Sequence, residues 1–430
     1  MTKTTLQKHL PTLGLAAVRR GWFKAPFSAG GTFAALKFRN YRLWFLGQMV
    51  SLVGTWMQTT AQGYLIFELT HSPTYLGYVG FAAGLPTWLF TLYGGLVADR
   101  MSRRNLLLIT QVAMMTLAVI LAMLTFTAMI QPWHIIILAF LLGVANAFDA
   151  PTRQAFVLEM VDREHLTNAI ALNSTMFNIA TAVGPAVAGA TYALFGPAWC
   201  FTINAISFIA VIVALLLMQI KRMPLQARNR SALADIKVGF HFVASHRVVR
   251  TVIANLGVLS LFGLGFITLM PAWAVKILGG DATTNGLLQS ARGIGAFIGA
   301  FMLASLSGLQ IRGKLFTSGS IVFPILLLVF SAVRWLPLSL VFLVGVGWGF
   351  MVMINVSNML VQTQVPDAMR GRIMSIYTLT FFGFMPVGSL LAGTVAARIG
   401  EPTAVVLGSV FLLVTAIVIR LRVPELHTMV

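Results

Sequence analysis

Twelve apolar runs, each about 20 residues long or longer, follow one another along this chain. They lie at 43–67, 75–98, 105–129, 133–153, 167–193, 199–220, 250–275, 284–307, 315–333, 337–361, 373–397 and 403–421. A helix rises about 1.5 Å per residue, so about 20 apolar residues cross a hydrocarbon core about 30 Å thick. Lipid offers no hydrogen bonds to bare backbone, which leaves helices as the solution for such runs. A large outer-membrane barrel would show segments of about ten residues with alternating polarity. The run at 203–217 does not alternate. The pattern predicts an all-α membrane protein with twelve transmembrane helices.

Composition excludes the main alternatives. Of the 430 residues, 58% are hydrophobic and only 10% are charged, against about 25% charged in a typical soluble domain. A soluble enzyme and a disordered protein are both poor fits. The net charge of +19 would suggest a nucleic-acid partner if the basic residues shared one exposed face. Their placement argues otherwise. With the N-terminus inside, cytoplasmic segments hold 26 of the 30 Lys and Arg, and the outer loops hold Lys276, Arg334 and Arg398. This is the positive-inside pattern, with both termini cytoplasmic. Arg292 remains, within a span. The single cysteine, Cys200, excludes an internal disulfide. The basic N-terminal stretch has no apolar core followed by a cleavage site, so a cytoplasmic tail is expected there and no cleaved signal peptide.

The chain is internally doubled. Asp162 and Asp367 precede the fifth and eleventh runs, 205 residues apart. Gly184 pairs with Gly388, Gly189 with Gly393 and Gly196 with Gly400, each at 204. Matches at nearly constant offset predict two pseudosymmetric six-helix halves in one orientation. The expected organisation is a tail at 1–42, a half at 43–220, a cytoplasmic linker at 221–249, a second half at 250–421 and a tail at 422–430. Within the linker, Leu233, Ile236, Phe240 and Val243 fall at helical spacing.

Between the second and third runs stands Gly95-Leu-Val-Ala-Asp99-Arg100-Met-Ser-Arg103-Arg104. It resembles the signature loop of the Major Facilitator Superfamily, with Val97 and Ser102 as mild departures. Gly184-Pro185-Ala-Val-Ala-Gly189 resembles the antiporter-type motif of that superfamily in part, with Ala180 and Ala188 replacing glycines. A helix-bending role follows for Gly184, Pro185 and Gly189. The stretches Phe38-Arg-Asn-Tyr-Arg-Leu-Trp44, Gly54-Thr-Trp-Met-Gln58 and Phe148-Asp-Ala-Pro-Thr-Arg-Gln154 are similar to the enterobactin-exporter-like branch. The resemblance implies secondary active export of a small molecule, such as a siderophore, drug or metabolite, from the bacterial inner membrane in exchange for protons. It also implies a central cavity and a cytoplasmic charge network. Here Asp99, Arg103, Asp149 and Arg372 would form that network, latching the halves in the outward-open state.

Ionisable groups inside spans are functional suspects by default. Arg292 lies about 12 Å below the outer surface at helical rise. It is expected either to attract an anionic or hydroxyl-rich substrate or to bond neighbouring carbonyls. Gln58 and Gln62 share one helical face. With Asn173, Asn178, Asn355 and Asn358 they are further cavity candidates, although such an amide is more often a helix–helix hydrogen bond than a ligand contact. No carboxylate lies at mid-membrane. Glu68, at the outer end of the first span, is the best proton carrier, and His134 reads as interfacial. No phosphate-cradling loop and no metal-ligand spacing occurs, so no enzyme, metal or cofactor is expected. The expected partners are a small-molecule substrate, the lipid bilayer and a coupling proton, with the protein a monomer. An importer of the same fold and a non-transporting receptor or assembly subunit are the alternatives.

Overall fold

The computed structural model describes residues 31, 33–219, 232–305 and 312–428, without the side chains of Leu92, Leu96, Asp99, residues 232–236 and residue 428. Most of the basic N-terminal tail and the first part of the linker therefore lie outside the described residues. The described chain is helical throughout, without strands. Six long helices come first: α1 (Arg39–Thr70), α2 (Pro73–Arg100), α3 (Arg103–Phe126), α4 (Pro132–Phe156), α5 (Leu166–Phe195) and α6 (Pro197–Leu217). A shorter helix, α7 (Ala232–Ser245), leads to α8 (Arg247–Ile277), α9 (Ala282–Ser305), α10 (Arg312–Ala332), α11 (Leu336–Gln364), α12 (Asp367–Ile399) and α13 (Glu401–Arg422).

Helices run over all of the apolar stretches. Among the described residues, ten are long and apolar enough to cross a membrane, and α1 and α2 are not among those ten. In α1 the cause is visible in sequence: Gln48, Thr55, Gln58, Thr59, Thr60 and Gln62 dilute its apolar character. Several of these are buried against other helices rather than facing lipid.

Local sequence sets the boundaries. Proline stands in the first turn of α2, α4, α6, α11 and α13, where its missing N–H costs nothing. Helices α5 and α12 both stop at a glycine with positive φ, Gly196 at 88° and Gly400 at 86°. Only glycine takes such a conformation freely. These two residues are a pair in the sequence repeat, so the doubling extends to backbone conformation.

The α8 segment departs from its counterpart. α1 is one continuous α-helix. α8 contains π-turns at Leu259–Gly263 and Trp273–Ile277, with a break around Leu264. Pro271, which has no N–H to donate, lies between them. The linker carries a helix where the spacing suggested one. Of its apolar residues, Val243 is buried and Phe240 is 58% exposed. Gly239, on the buried side, is set against Ile376 and Arg372 of α12. Leu233 and Ile236 lie outside the described side chains.

Apolar packing is divided by end and by half. One core joins Tyr41, Trp44, Leu107, Phe156 and Leu215 of the first six helices. Another, much larger, is built mostly from α8–α13 around Trp273, Phe316, Phe323 and Phe330. Only the cluster around Met57, Ile66, Phe67 and Phe201 takes in residues from both groups, through Ala272 and Ala282. It lies at the end of the bundle that holds His71, Gly196, Gly279 and Gly400.

Candidate functional site: the cleft between the two helix groups

Two seams join the groups. α5 packs on α9, and α2 packs on α12. In lipid, helices gain little by hiding apolar surface from one another, so close backbone approach between small residues drives association. A Cβ added to Gly286 would lie 3.0 Å from the Cα of Gly189, and one added to Gly393 would lie 2.8 Å from the Cα of Gly77. Gly293 meets the carbonyl of Thr181, and Gly84 meets Pro386. Gly77 and Gly84 are seven residues apart, as are Gly286 and Gly293. The seams are thus built twice from one pattern. Gly77, Gly84, Gly286 and Gly293 belong to no recognised motif, although their equal seven-residue spacing is legible in the sequence.

Both seams stop partway. The α2–α12 contact continues as far as Trp88 against Gly383. Beyond it, a Cβ on Gly95 or Gly371 would meet nothing within 4 Å. Along α5, Ser174 and Ala171 are exposed past the level of Thr181. The two groups are closed together at one end and part toward the other, leaving a cleft. No ion pair crosses between the groups at the open end among the described residues. Arg103 pairs with Glu159 at 2.8 Å, Arg153 with Asp149 at 3.3 Å, and Arg247 with Glu425 at 3.5 Å.

Arg292 stands at the apex of this cleft, beside Gly293 where the α5–α9 seam ends. It is 8% exposed. No ion pair or hydrogen bond reaches its guanidinium among the described residues, and its buried Nε has no partner. Its backbone is pinned, because Gly347 of α11 packs on the Arg292 carbonyl.

Of the six amide candidates, three bond to a neighbouring helix and three within their own. Gln58 accepts a hydrogen bond from Asn204 of α6 at 2.6 Å. Gln62 points to the Ile135 carbonyl of α4 at 3.5 Å, the limit of a hydrogen bond. Two residues on one face of α1 therefore serve two different neighbours. Asn173 accepts from the Tyr41 hydroxyl at 3.1 Å. Asn178 and Asn355 donate to carbonyls of their own helices, and Asn358 accepts from Gln362. Gly184 packs on Trp56 of α1, and α5 passes through Pro185 as one helix. Gly184 and Gly189 thus stand at close helix contacts.

Two of the expected network residues, Arg103 and Asp149, have partners within the first six helices. Arg103 is held by Glu159. Asp149 is buried and accepts from Thr110 and Gln111, each at 2.9 Å, beside Arg153. Arg372 lies on α12 under α7, with its guanidinium 3.4 Å from the Met369 sulfur. The Asp99 side chain is outside the described residues. At the closed end, Glu68 accepts a hydrogen bond from Tyr192 of α5. His134 accepts from the Gln131 backbone N–H at 3.0 Å and so caps α4.

Comparison with known proteins adds a family. The profile described as transmembrane secretion effector matches residues 30–429. The staphyloferrin A transporter of Staphylococcus aureus is 26% identical over 366 residues, covering 84% of this chain and 90% of that protein. The enterobactin exporter of Shigella boydii is 27% identical over 396 residues, covering 90% and 92%. The fold is similar to that of a bacterial homolog of the human lysosomal transporter Spinster in its inward-facing, unoccupied conformation. That structure has a TM-score of 0.72 at 12% identity, covering 88% of this chain and 96% of the other. An auto-inhibited peptide transporter of the POT family gives a TM-score of 0.69 at 12% identity, covering 90% and 97%.

Proposed function

The chain belongs to the transmembrane secretion effector family of the Major Facilitator Superfamily, and from that premise we propose that it exports a small molecule by alternating access. It is an integral, multi-pass membrane transporter rather than an enzyme. The observation that carries the reading is the one-ended closure of the bundle. Two glycine seams seal one end, and the cleft at the other reaches Arg292.

In this reading all twelve long helices cross the membrane as two pseudosymmetric halves, 43–220 and 250–421. The open end faces the cytoplasm, as its basic residues favour. The conformation is then inward-open, ready to load cargo from inside the cell. Cargo of the kind named for its relatives, staphyloferrin A and enterobactin, is the first choice in a class that also holds drugs and other metabolites. Rocking of the halves would part the glycine seams and bring the cytoplasmic ends together. Asp99, Arg103, Asp149 and Arg372 would then engage as a latch. Proton exchange drives the cycle, with Glu68 at the outer end as carrier.

The test is flux in everted membrane vesicles energised to be acid inside. An exporter that exchanges cargo for protons accumulates cargo in these vesicles, and a protonophore abolishes the accumulation. A proton-coupled importer moves cargo the opposite way under the same gradient, and a receptor or assembly subunit moves none.

A further inference from the structure

We infer that Asn285, Gln289 and Arg292 form a donor-rich site on α9 that takes an anionic ligand, a carboxylate or similarly acidic group, at the apex of the cleft. The inference rests on the transporter reading and names the substrate class.

The three residues fall at i, i+4 and i+7, one stripe of an α-helix. The other faces of α9 are accounted for. Gly286 and Gly293 meet α5, while Gly295 and Gly299 meet α11. Leu287, Ile294, Ile298 and Phe301 are exposed apolar residues that suit lipid. The remaining stripe turns into the bundle, and it is polar. Asn285 is 1% exposed and Gln289 and Arg292 are each 8% exposed.

Hydrogen-bond bookkeeping gives the stripe its sign. Gln289 donates to the Asn285 carbonyl oxygen at 3.3 Å. That contact engages the Asn285 side-chain oxygen and leaves its amide nitrogen without a partner. The unpartnered buried atoms of the stripe are then Asn285 Nδ2 and Arg292 Nε, both donors. A buried donor without an acceptor is costly, and an unpaired buried cation is more so. Carboxylates elsewhere are engaged. Asp281, nearest along the chain, accepts from Thr284 in the loop before α9, and Asp149 is held by Arg153, Glu401 by Lys276 and Glu68 by Tyr192. Within the described residues nothing supplies the counter-charge, so a ligand that brings acceptors and negative charge fits this stripe. A cationic or donor-rich ligand does not.

The test separates binding from transport. Purified protein in lipid nanodiscs is titrated with a panel of small carboxylic acids of one to three charges, citrate among them, and with the uncharged ester of each. At least one acid is expected to bind about tenfold or more tightly than its ester. Arg292→Gln should erase that preference, and Arg292→Lys should keep part of it. Asn285→Ala should weaken the acid without affecting the ester. Thermal unfolding of each variant checks that the fold survives. Equal binding of acids and esters, failure of every acid to bind, or an unchanged preference in Arg292→Gln would overturn the inference. Flux in proteoliposomes is read separately. Acid preference without flux keeps the anion site and removes the transporter reading, whereas flux without acid preference does the reverse.

Discussion

The ammonium of Lys276, at the end of α8, lies 5.4 Å from the centre of the Phe67 ring on α1. It joins the two helix groups at the closed end. Its Nζ is also 3.1 Å from Oε1 of the buried Glu401, an ion contact without the geometry of a directed hydrogen bond. A cation over an aromatic face contributes about 0.5–1 kcal/mol where water has access. Phe67→Leu removes the ring and leaves the Lys276–Glu401 pair intact. This change should raise the fraction of molecules with the closed end parted about two- to fivefold. Labelling of a cysteine at Tyr64, with Cys200 replaced by Ser, measures it. An unchanged labelling rate would show that the contact does not hold the gate.

The glycine seams make a stronger demand. A leucine at Gly286 would drive its side chain into the Pro185 carbonyl and the backbone of Gly189. Overpacking of this kind costs about 1–3 kcal/mol. Gly286→Leu should disfavour the closed seam, and Gly77→Leu should do the same on the opposite side. Distances between spin labels on Thr181 and Gly293-adjacent Ile294 should lengthen in Gly286→Leu. Retention of the parent distance would mean that α5 and α9 approach for some other reason.

Much of this fold could be read from the chain because the membrane imposes a length rule on every apolar run. The glycine repeat at constant offset was equally legible, and Gly196 and Gly400 end equivalent helices in the same backbone conformation. What hydropathy could not supply was the partner of each polar side chain. Gln58 and Gln62 share a face, yet one serves α6 and the other α4. A helix face names a direction and not a neighbour. Arg292 stood out because a charge within an apolar run is rare. Asn285 and Gln289 did not, because uncharged amides near a span end are common. Their significance emerges only when their missing acceptors are counted. The break in α8 was likewise hidden, since Pro271 alone does not announce two π-turns.

The loop before α9 has a defined pH response. Asp281 accepts hydrogen bonds from the Thr284 backbone N–H at 3.0 Å and from its hydroxyl at 3.2 Å. These bonds favour the ionised carboxylate and hold its pKa below the ordinary value. A depressed folded-state pKa contributes stability above the unfolded value. That contribution is lost as pH falls through the folded value. Thermal stability of the purified protein should therefore drop below about pH 4, partly through this group. Asp281→Asn should flatten that part of the profile and leave the profile near pH 7 parallel to the parent. An identical acid limb in the variant would remove Asp281 as a contributor.

Asp149 separates a structural role from a switching one. Its carboxylate is 1% exposed, accepts from Thr110 and Gln111, and lies 3.3 Å from Arg153. Asp149→Ala removes two hydrogen bonds to a buried charged acceptor, each contributing about 1.5–3 kcal/mol, while Arg153 is 26% exposed and can turn to solvent. Arg103 and Glu159 are both partly exposed, and an ion pair with access to water contributes about 0–1 kcal/mol. Asp149→Ala should therefore lower thermal stability sharply, and Arg103→Gln should barely change it. If Arg103 also belongs to a latch that forms when the cytoplasmic ends meet, its loss should still slow transport while cargo binding stays intact. The informative comparison is thus flux against melting temperature for both variants. Arg103→Gln with parent flux would remove it from the latch. Asp149→Ala with parent stability would show that its bonds to Thr110 and Gln111 do not hold α3 and α4 together.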